Sequence, residues 1–308
     1  MSFHVHAEMF VGKKVVAYDA ETGASEPAGS CIYRIGGLEY GDEQNKFTES
    51  FARFVSDPKA IPIVGVVIGA WNYDEMLESS ARIVQELIAA AAQLPHLRAI
   101  FFGDITYQEC EISWINQSDM TPLLNAYPDL QHFRVRGANR LRFQKLKHAQ
   151  LISLSVESGG LHIDPLTDIV GAKLPKLEHL ELWLGDSGYG AVEPGVLIPL
   201  LTGKQFPKLT YLGLRNYRRI DELCPLLAKS KLLDRIRVLD LSNGNISDEG
   251  LDALLVASAK LKKLERLDLH HHYLSNEGIE RVQALGIPVD VSEQLQGDGE
   301  DRYIVASE

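Results

Sequence analysis

Residues 236–285 decide the fold, because one pattern occurs twice in IRVLDLSNGNISDEGLDALLVASAKLKKLERLDLHHHYLSNEGIERVQAL. Apolar residues at positions 236, 239, 241 and 246 recur at 264, 267, 269 and 274, an offset of 28 residues. Leu239 and Leu241 are two residues apart, so both point to one side of a short strand. A polar turn and an apolar helical run follow each set. One such strand and helix cannot bury its apolar side alone, whereas stacked copies can, so the pattern predicts a stack of repeats.

Six earlier apolar triplets have the same internal spacing. Successive triplets start 34, 33, 21, 26, 32, 27 and 28 residues apart, with a mean close to 29. A period of this length leaves room for a helix in each repeat. The exception is the 21-residue interval from Leu130 to Leu151, which predicts a loop or a short turn. The earlier triplets are Ile63/Val66/Ile68, Leu97/Ile100/Phe102, Leu130/Phe133/Val135, Leu151/Leu154/Val156, Leu177/Leu180/Leu182 and Leu209/Leu212/Leu214.

Helices are expected on the outer side of most repeats. Ser247 and Ser275 are placed to cap two of them, with acidic residues in the first turn beside the positive end of the helix dipole. The expected helices are residues 74–92, Asp119–Ala126, Val192–Leu201, Asp221–Ser230, Asp248–Lys260 and Asn276–Leu285. The predicted fold class is therefore α/β, with a parallel concave sheet and a mostly helical convex side.

The N-terminal region, residues 1–60, does not fit the repeat. We expect strands at Val15–Tyr18 and Ile32–Ile35, followed by an amphipathic helix around Phe47–Val55. The end of a stack exposes apolar residues and strand edges, so the region is interpreted as a cap. The alternative is a small binding domain carried on the repeats.

The repeats are assigned to residues 61–286, and residues 287–308 to a C-terminal cap and tail. This tail is expected to contain a short strand at Val289–Val291, an acidic loop and a final edge strand.

The segments LDLSNGNISDEGL (239–251) and LDLHHHYLSNEGI (267–279) resemble the ribonuclease-inhibitor class of leucine-rich repeats, whose members are curved α/β horseshoes. The resemblance covers roughly residues 63–285. Where the class favours Asn or Cys, this chain has Gly244 and His272. The N-terminal cap and the acidic tail ending in YIVAS also look like those of a group of uncharacterised bacterial leucine-rich-repeat proteins. The resemblance implies a recognition surface and supplies no activity.

The composition is that of an ordinary globular protein, with 45% hydrophobic and 24% charged residues. The chain has 308 residues and a net charge of −11, so we expect no general affinity for nucleic-acid phosphates. No run of apolar residues approaches the length of a membrane span. The three cysteines, Cys31, Cys110 and Cys224, are widely spaced and are interpreted as reduced thiols of a cytoplasmic protein.

No catalytic motif is complete, and we expect no enzyme activity and no cofactor. The tetrapeptide at 185–188, Gly-Asp-Ser-Gly, occurs around the nucleophile of chymotrypsin-like proteases, but a turn explains it fully. Thr202-Gly203-Lys204-Gln205 resembles the end of a phosphate loop, yet the required earlier glycine is Ile198.

His270, His271 and His272 raise the possibility of a metal site. In a strand, His270 and His272 would share a face with Asp268. Because His272 occupies the inward position of its repeat, we instead expect a buried turn histidine, two exposed histidines and no bound metal.

The concave face carries the candidate binding residues, at the third, fifth and seventh positions of the repeats. Neighbouring strands lie about 4.8 Å apart, so side chains at equivalent positions are neighbours. Exposed Trp, Tyr and Arg are typical of binding hot spots. The candidate binding residues are Arg134, Arg136, Glu157, His179, Glu181, Trp183, Tyr211 and Arg215.

An intramolecular role is the alternative for this cluster, with Arg136 paired to Glu157 and Arg215 stacked on Trp183. The preferred hypothesis is a non-catalytic protein–protein recognition scaffold whose partner carries an acidic or phosphorylated segment. A second hypothesis is an enzyme, or an accessory subunit of one, with a site at one end of the repeats. A third is a purely architectural subunit.

Overall fold

The computed structural model describes residues 5–27, 29–36, 46–71, 78–297 and 299–307. It divides into two compact units. Unit 1 comprises Met1–Leu154 with Ala172–Leu174, and unit 2 comprises Ser155–Gly171 with Pro175–Glu308. The assignment of residues 61–286 to the repeats, with a cap on either side, remains a prediction from the sequence.

Unit 1 is built on parallel strands with helices between them. Strands β2 to β6 pair in chain order and in parallel, and β1 pairs with β2 antiparallel. The strands are β1 (Met9–Phe10), β2 (Lys13–Ala17), β3 (Ile32–Ile35), β4 (Gly65–Ile68), β5 (Ala99–Phe102) and β6 (His132–Arg136). The helices are α1 (Lys46–Ser56), α2 (Ala81–Ala89) and α3 (Thr121–Ala126), with a 3₁₀ turn at Ile112–Trp114.

Unit 2 repeats the same plan. Strands β8 to β12 pair in chain order, all in parallel. The strands are β7 (Ser153–Glu157), whose last three residues belong to this unit, β8 (His179–Gly185), β9 (Tyr211–Tyr217), β10 (Val238–Asp240), β11 (Arg266–Asp268) and β12 (Val289–Asp290). The helices are α4 (Ile163–Val170), α5 (Ile198–Leu201), α6 (Ile220–Ala228), α7 (Asp248–Leu255), α8 (Ser258–Leu261) and α9 (Asn276–Gln283), with 3₁₀ turns at Ser187–Tyr189, Pro194–Leu197, Leu232–Asp234 and Gly299–Asp301.

The apolar triplets form the core of both units. No triplet residue has more than 4% of its surface exposed. Equivalent leucines are strand partners, as Leu212, Leu239 and Leu267 show across β9, β10 and β11. The α/β leucine-rich-repeat fold class predicted from the sequence is therefore confirmed.

The expected helices are largely present. The helix predicted at 248–260 is interrupted between α7 and α8, and only the end of 192–201 is α-helical. Residues 74–77 of the helix predicted at 74–92 lie outside the described residues, and α2 covers Ala81–Ala89. Residues 137–150 contain bridges and turns but no helix, as the short interval predicts. Helix α4 was not predicted.

One of the two predicted helix caps is formed. The Ser275 hydroxyl accepts a hydrogen bond from the Gly278 N–H at 3.0 Å. Ser247 stands at the cap position of α7, but its hydroxyl donates to Asp221 at 2.6 Å and caps nothing. A carboxylate acceptor is stronger than a backbone amide partner, so the neighbouring repeat takes this hydroxyl.

The N-terminal region continues the sheet of unit 1. The predicted strand at Ile32–Ile35 and the predicted helix are confirmed as β3 and α1, and β2 lies at Lys13–Ala17. Residues Val11 and Gly12 join β1 to β2 in a tight turn with φ angles of 42° and 76°.

The last part of the chain differs from its prediction. The short strand is confirmed as β12, but the final edge strand is wrong, because residues 302–307 pair with no strand. They instead contact side chains and carbonyls at the end of β9 and in the loops that follow β10 and β11.

Candidate functional site

The residues that alternate with the leucines of β8 to β12 lie on the opposite side of the sheet from the core. We call this surface the polar face of unit 2. It consists of His179, Glu181, Trp183, Tyr211, Arg215, Val238, Asp240, Ser242, Arg266, Asp268, His270 and Asp290. Strand register makes Tyr211, Val238 and Arg266 neighbours in one row, and Asp240, Asp268 and Asp290 neighbours in the next.

Arg215 is the centre of the first charge cluster on this face. Its Nη1 lies 3.1 Å from Glu181 Oε1, and its Nε donates to Ser242 Oγ at 2.9 Å and lies 3.5 Å from Asp240 Oδ2. Burial alone would lower the pKa of this guanidinium. The negative charges of Glu181 and Asp240 outweigh it, so the Arg215 pKa is raised and the charge is retained.

Tyr211 extends the same cluster toward the surface. Its hydroxyl donates to Asp240 Oδ2 at 2.6 Å, and its ring stacks on His179 with centroids 3.8 Å apart. Burial, and then the negative charges of Glu181 and Asp240, raise the Tyr211 pKa well above its usual value. The phenol is therefore a fixed hydrogen-bond donor at neutral pH.

A second cluster lies on β11 and β12. Arg266 Nη2 is 2.5 Å from Asp268 Oδ2 and 3.3 Å from Asp290 Oδ2, and His270 Nδ1 is 2.8 Å from Asp268 Oδ1. Burial would raise the Asp268 pKa, but the hydrogen bond from His270 and the neighbouring positive charges lower it.

Asp268, His270 and Asp290 could in principle hold a metal ion, because their ligand atoms all lie within 4.8 Å of one another. The Arg266 guanidinium, however, already bonds both carboxylates, and a cation would have to displace it.

His272 does not join Asp268, His270 and Asp290. It is buried as predicted, with Nε2 3.0 Å from the Val291 carbonyl and Nδ1 accepting from the Leu274 N–H. Burial lowers the His272 pKa.

The sequence predicts that the binding residues are exposed. This prediction is wrong for Trp183, Arg136, Arg215 and Glu157, which are all buried. Trp183 has only 1% of its surface exposed. Its indole N–H donates to Glu181 Oε1 at 2.9 Å, and the Arg215 guanidinium lies 5.3 Å from its ring centroid. The predicted stacking of Arg215 on Trp183 is therefore confirmed. Large side chains of adjacent strands cover one another and exclude water.

The other predicted binding residues, Arg134, His179, Glu181 and Tyr211, are partly exposed. Val238, Arg266, Asp268 and Asp290 also belong to this face but are not among the predicted binding residues. The sequence places the first three at the third and fifth positions of their repeats, on the predicted concave face, whereas Asp290 lies beyond the last triplet.

Arg136 belongs to a different cluster, in unit 1, around the buried carboxylate of Asp104. Both oxygens of Asp104 lie 3.2 Å from the Ala7 N–H, and Arg34 and Arg136 approach to 3.7 and 3.9 Å. Burial would raise the Asp104 pKa. The hydrogen bond from His6 and the charge of Arg136 outweigh it, so the pKa is lowered.

The N-terminal residues that reach Asp104 also cover part of unit 1. Phe10 packs with Val67, Ala99 and Phe101, and the two phenyl centroids are 5.9 Å apart. These three partners alternate with the triplet residues of β4 and β5, on the side that the sequence predicts to be concave. That side is therefore occupied here by the chain itself. The arrangement needs a contact over about 90 residues of sequence, which no local pattern predicts.

A crystal structure from the Northeast Structural Genomics Consortium of a Bacteroides fragilis protein is similar to this chain over most of its length. The two share 30% sequence identity with a TM-score of 0.79, over 87% of this chain and 77% of the other. The chain belongs to the same family as that protein.

A listerial internalin structure aligns with 94% of this chain and 87% of its own, at 15% identity and a TM-score of 0.28, which is too low to carry an argument. No protein-family model and no curated protein matches the chain. Among the described residues, no helix has the length and apolar character needed to cross a membrane.

Because Trp183 is buried, we predict that Trp183→Ala lowers the free energy of unfolding by about 3–5 kcal/mol through lost burial and a cavity. Urea denaturation measures this. Trp114, which is 55% exposed, supplies a matched control, and Trp114→Ala should change stability by less than about 1 kcal/mol. Equal and small losses for both variants would contradict the burial of Trp183.

The buried charge of Asp104 should make the free energy of unfolding depend on pH. The pKa of Asp104 is lower in the folded protein than in the unfolded chain, so its contribution to stability is complete above the unfolded pKa and is lost as the pH falls through the folded pKa. Asp104→Asn removes the buried negative charge that faces Arg34 and Arg136, and breaking a buried ion pair should cost about 3–5 kcal/mol at pH 7. Denaturation of both proteins between pH 7 and pH 2 should show their difference shrinking only below about pH 4. A difference that does not change with pH would exclude a charged Asp104.

Proposed function

We propose that this protein is a non-catalytic recognition scaffold that binds another protein through the polar face of unit 2. The observation that carries the proposal is the row of partly exposed side chains, His179, Tyr211, Val238 and Arg266, standing over a buried charge network. The network fixes their orientation before a partner arrives, which reduces the entropy that binding would otherwise lose. An aromatic pair and an arginine beside an apolar residue are types enriched in binding hot spots.

The charges of this face favour a partner with basic groups. The expectation of an acidic partner rested on Arg134, Arg136 and Arg215, but Arg136 and Arg215 are buried against carboxylates. On the polar face, the carboxylates of Glu181, Asp240, Asp268 and Asp290 outnumber the guanidinium groups of Arg215 and Arg266. Asp290 is the most exposed of the four acids. An acidic face on a chain of net charge −11 also argues against nucleic acid as the partner.

The geometry supports binding over catalysis. Tyr211 has a raised pKa and Arg215 stays charged, so neither is poised to transfer a proton at neutral pH. In the Gly-Asp-Ser-Gly turn, the Asp186 carboxylate accepts from the Gly188 N–H at 2.8 Å and pairs with Arg218 at 3.2 Å, so it is used in holding the turn. An enzyme, or an accessory subunit with a site at one end of the repeats, remains the alternative.

Two further features support the class of repeat and the cellular compartment that we propose. Repeats near 28 residues with a strand and a helix are those of the ribonuclease-inhibitor class, where we propose to place the chain. Cys31, Cys110 and Cys224 are free and buried, which supports the proposal of a reducing, cytoplasmic compartment.

The proposal predicts that Val238→Lys weakens partner binding, because the lysine side chain fills the middle of the exposed row and its positive charge repels the basic groups of the partner. Val256→Lys is the matched control, since Val256 follows α7 with 84% of its surface exposed. A partner captured from the native host and then purified should bind the wild type and the control alike, and bind the variant at least tenfold more weakly, which corresponds to about 1.4 kcal/mol.

Thermal melting must be unchanged for both variants. Affinity should also fall when the salt concentration rises, because the contact is between opposite charges. Equal binding by Val238→Lys and the wild type would contradict the proposal, as would turnover of a substrate by the purified chain.

A further inference from the structure

Residues Arg302–Ser307 form a non-helical segment with a bend at Val305. The segment lies against the end of β9, the start of α6 and the loops that follow β10 and β11, and we call it the strap. Its side chains alternate: Ile304 and Ala306 are buried, whereas Tyr303 is exposed. Alternation of this kind is expected of an extended peptide lying on a surface. The strap nevertheless forms no strand ladder, and its contacts come from individual groups of β9, of α6 and of the loops after β10 and β11.

Asn216 makes the most specific of these contacts. Its Nδ2 donates to the Ala306 carbonyl at 2.5 Å, and its Oδ1 accepts from the Ala306 N–H at 2.9 Å. The Asn216 side-chain amide therefore bonds both the carbonyl and the N–H of Ala306. Asn216 is fully buried and its backbone φ is 50°, a left-handed conformation that asparagine tolerates better than most residues. Without an occupant, part of this amide would be buried and unsatisfied, which is costly.

Four further hydrogen bonds fix the position of the strap along the groove. The Val305 N–H donates to the Asn243 carbonyl at 3.1 Å, and the Tyr303 N–H donates to the Tyr273 hydroxyl at 2.8 Å. Arg302 Nη1 donates to Asp221 Oδ2 at 2.8 Å and to the Asn245 carbonyl at 3.2 Å. The strap is therefore held by main-chain hydrogen bonds along its length and by one ion pair at its beginning.

This division of contacts is the one by which proteins recognise extended peptides, where main-chain bonds give affinity and side-chain pockets give specificity. The geometry points to a peptide-binding groove, made by Asn216, Asp221, Asn243, Asn245 and Tyr273, that accepts an extended segment of a separate protein and is occupied here by the chain's own strap. We call it the strap groove.

The strap itself defines the chemistry of the partner segment. A basic residue is required opposite Asp221, an aliphatic residue two positions later, and a small residue two positions after that, since Ala306 is 1% exposed and leaves no space for a larger side chain. A cavity of about 600 Å³ beside Arg302, lined by Asp248, Tyr273 and Gln294 among others, gives an incoming chain room to approach.

The strap competes with any partner because it is tethered. Tethering by a short linker gives an effective concentration on the order of 1 mM, so a partner must exceed the strap in affinity or in concentration. A variant whose strap cannot occupy the groove should therefore bind a partner peptide more tightly than the wild type does. The strap groove and the polar face use different residues, so either site can fail its test alone.

The test uses the full chain and a fluorescein-labelled peptide, Arg-Tyr-Ile-Val-Ala-Ser, the sequence of residues 302–307. Ile304→Glu places a charge at a buried position of the strap and should release it. Fluorescence anisotropy should show saturable binding to this variant, at least tenfold tighter than to the wild type. Adding Asn216→Ala to the same chain should abolish the binding, and a peptide with Glu in place of Ile should not bind.

A measurement on the wild type keeps the proposal testable if Ile304→Glu does not fold. Hydrogen exchange at the Val305 and Ala306 amides should accelerate when millimolar unlabelled peptide displaces the strap. Unchanged exchange together with no binding to the variant would overturn the proposal and leave the strap as a cap. Binding that survives Asn216→Ala would also overturn it. A wild-type dimer that Ile304→Glu abolishes would assign the groove to a second copy of the chain and refute a separate partner.

Discussion

Burial of three apolar side chains in every repeat is the constraint on which the rest of the structure depends. Residues two apart on a strand point to the same side, so burying Leu239 and Leu241 forces Asp240 onto the opposite side. Parallel pairing in register then places Asp240 beside Asp268, and Asp268 beside Asp290, at a spacing of about 4.8 Å. The row of acids is thus a geometric consequence of the leucine core.

Such a row would repel itself, and two arginines compensate for it. Arg215 bonds Glu181 and Ser242, and Arg266 bonds Asp268 and Asp290. The two arginines differ in exposure. An exposed pair contributes about 0–1 kcal/mol, whereas breaking a buried pair costs about 3–5 kcal/mol. Arg215 is therefore a fixed part of the fold, while the more exposed Arg266 remains available to a partner.

The sequence predicts the strands, helices and buried triplets of this protein well, because they follow from the periodicity of its apolar residues. The triplets, β3, α1 and the loop between Leu130 and Leu151 all have the predicted form. Exposure was harder to predict. Alternation indicates the direction in which Trp183 points, and the alternative interpretation includes its contact with Arg215, but neither indicates that Trp183 is almost completely buried. The Asp104 cluster and the strap depend on contacts between distant residues, about which local patterns carry no information.

The loops also show why a prediction can fail with every residue correctly placed. Ser247 has the sequence position of a helix cap, yet its hydroxyl bonds Asp221 of the preceding repeat. The strap has the alternation of an edge strand, yet Asn216 and Tyr273 bind its main chain in place of a neighbouring strand. In both cases a side chain in another repeat replaces the local backbone partner that the sequence pattern implies.

The central claim is that the polar face of unit 2 contacts the partner. Hydroxyl-radical footprinting of the purified complex tests it directly, since tyrosine and histidine side chains report their own exposure. The account predicts that modification of Tyr211 and His179 falls on binding, while Tyr107, which is exposed in unit 1, reacts as before. Unchanged modification of Tyr211 and His179 in a saturated complex would contradict the account.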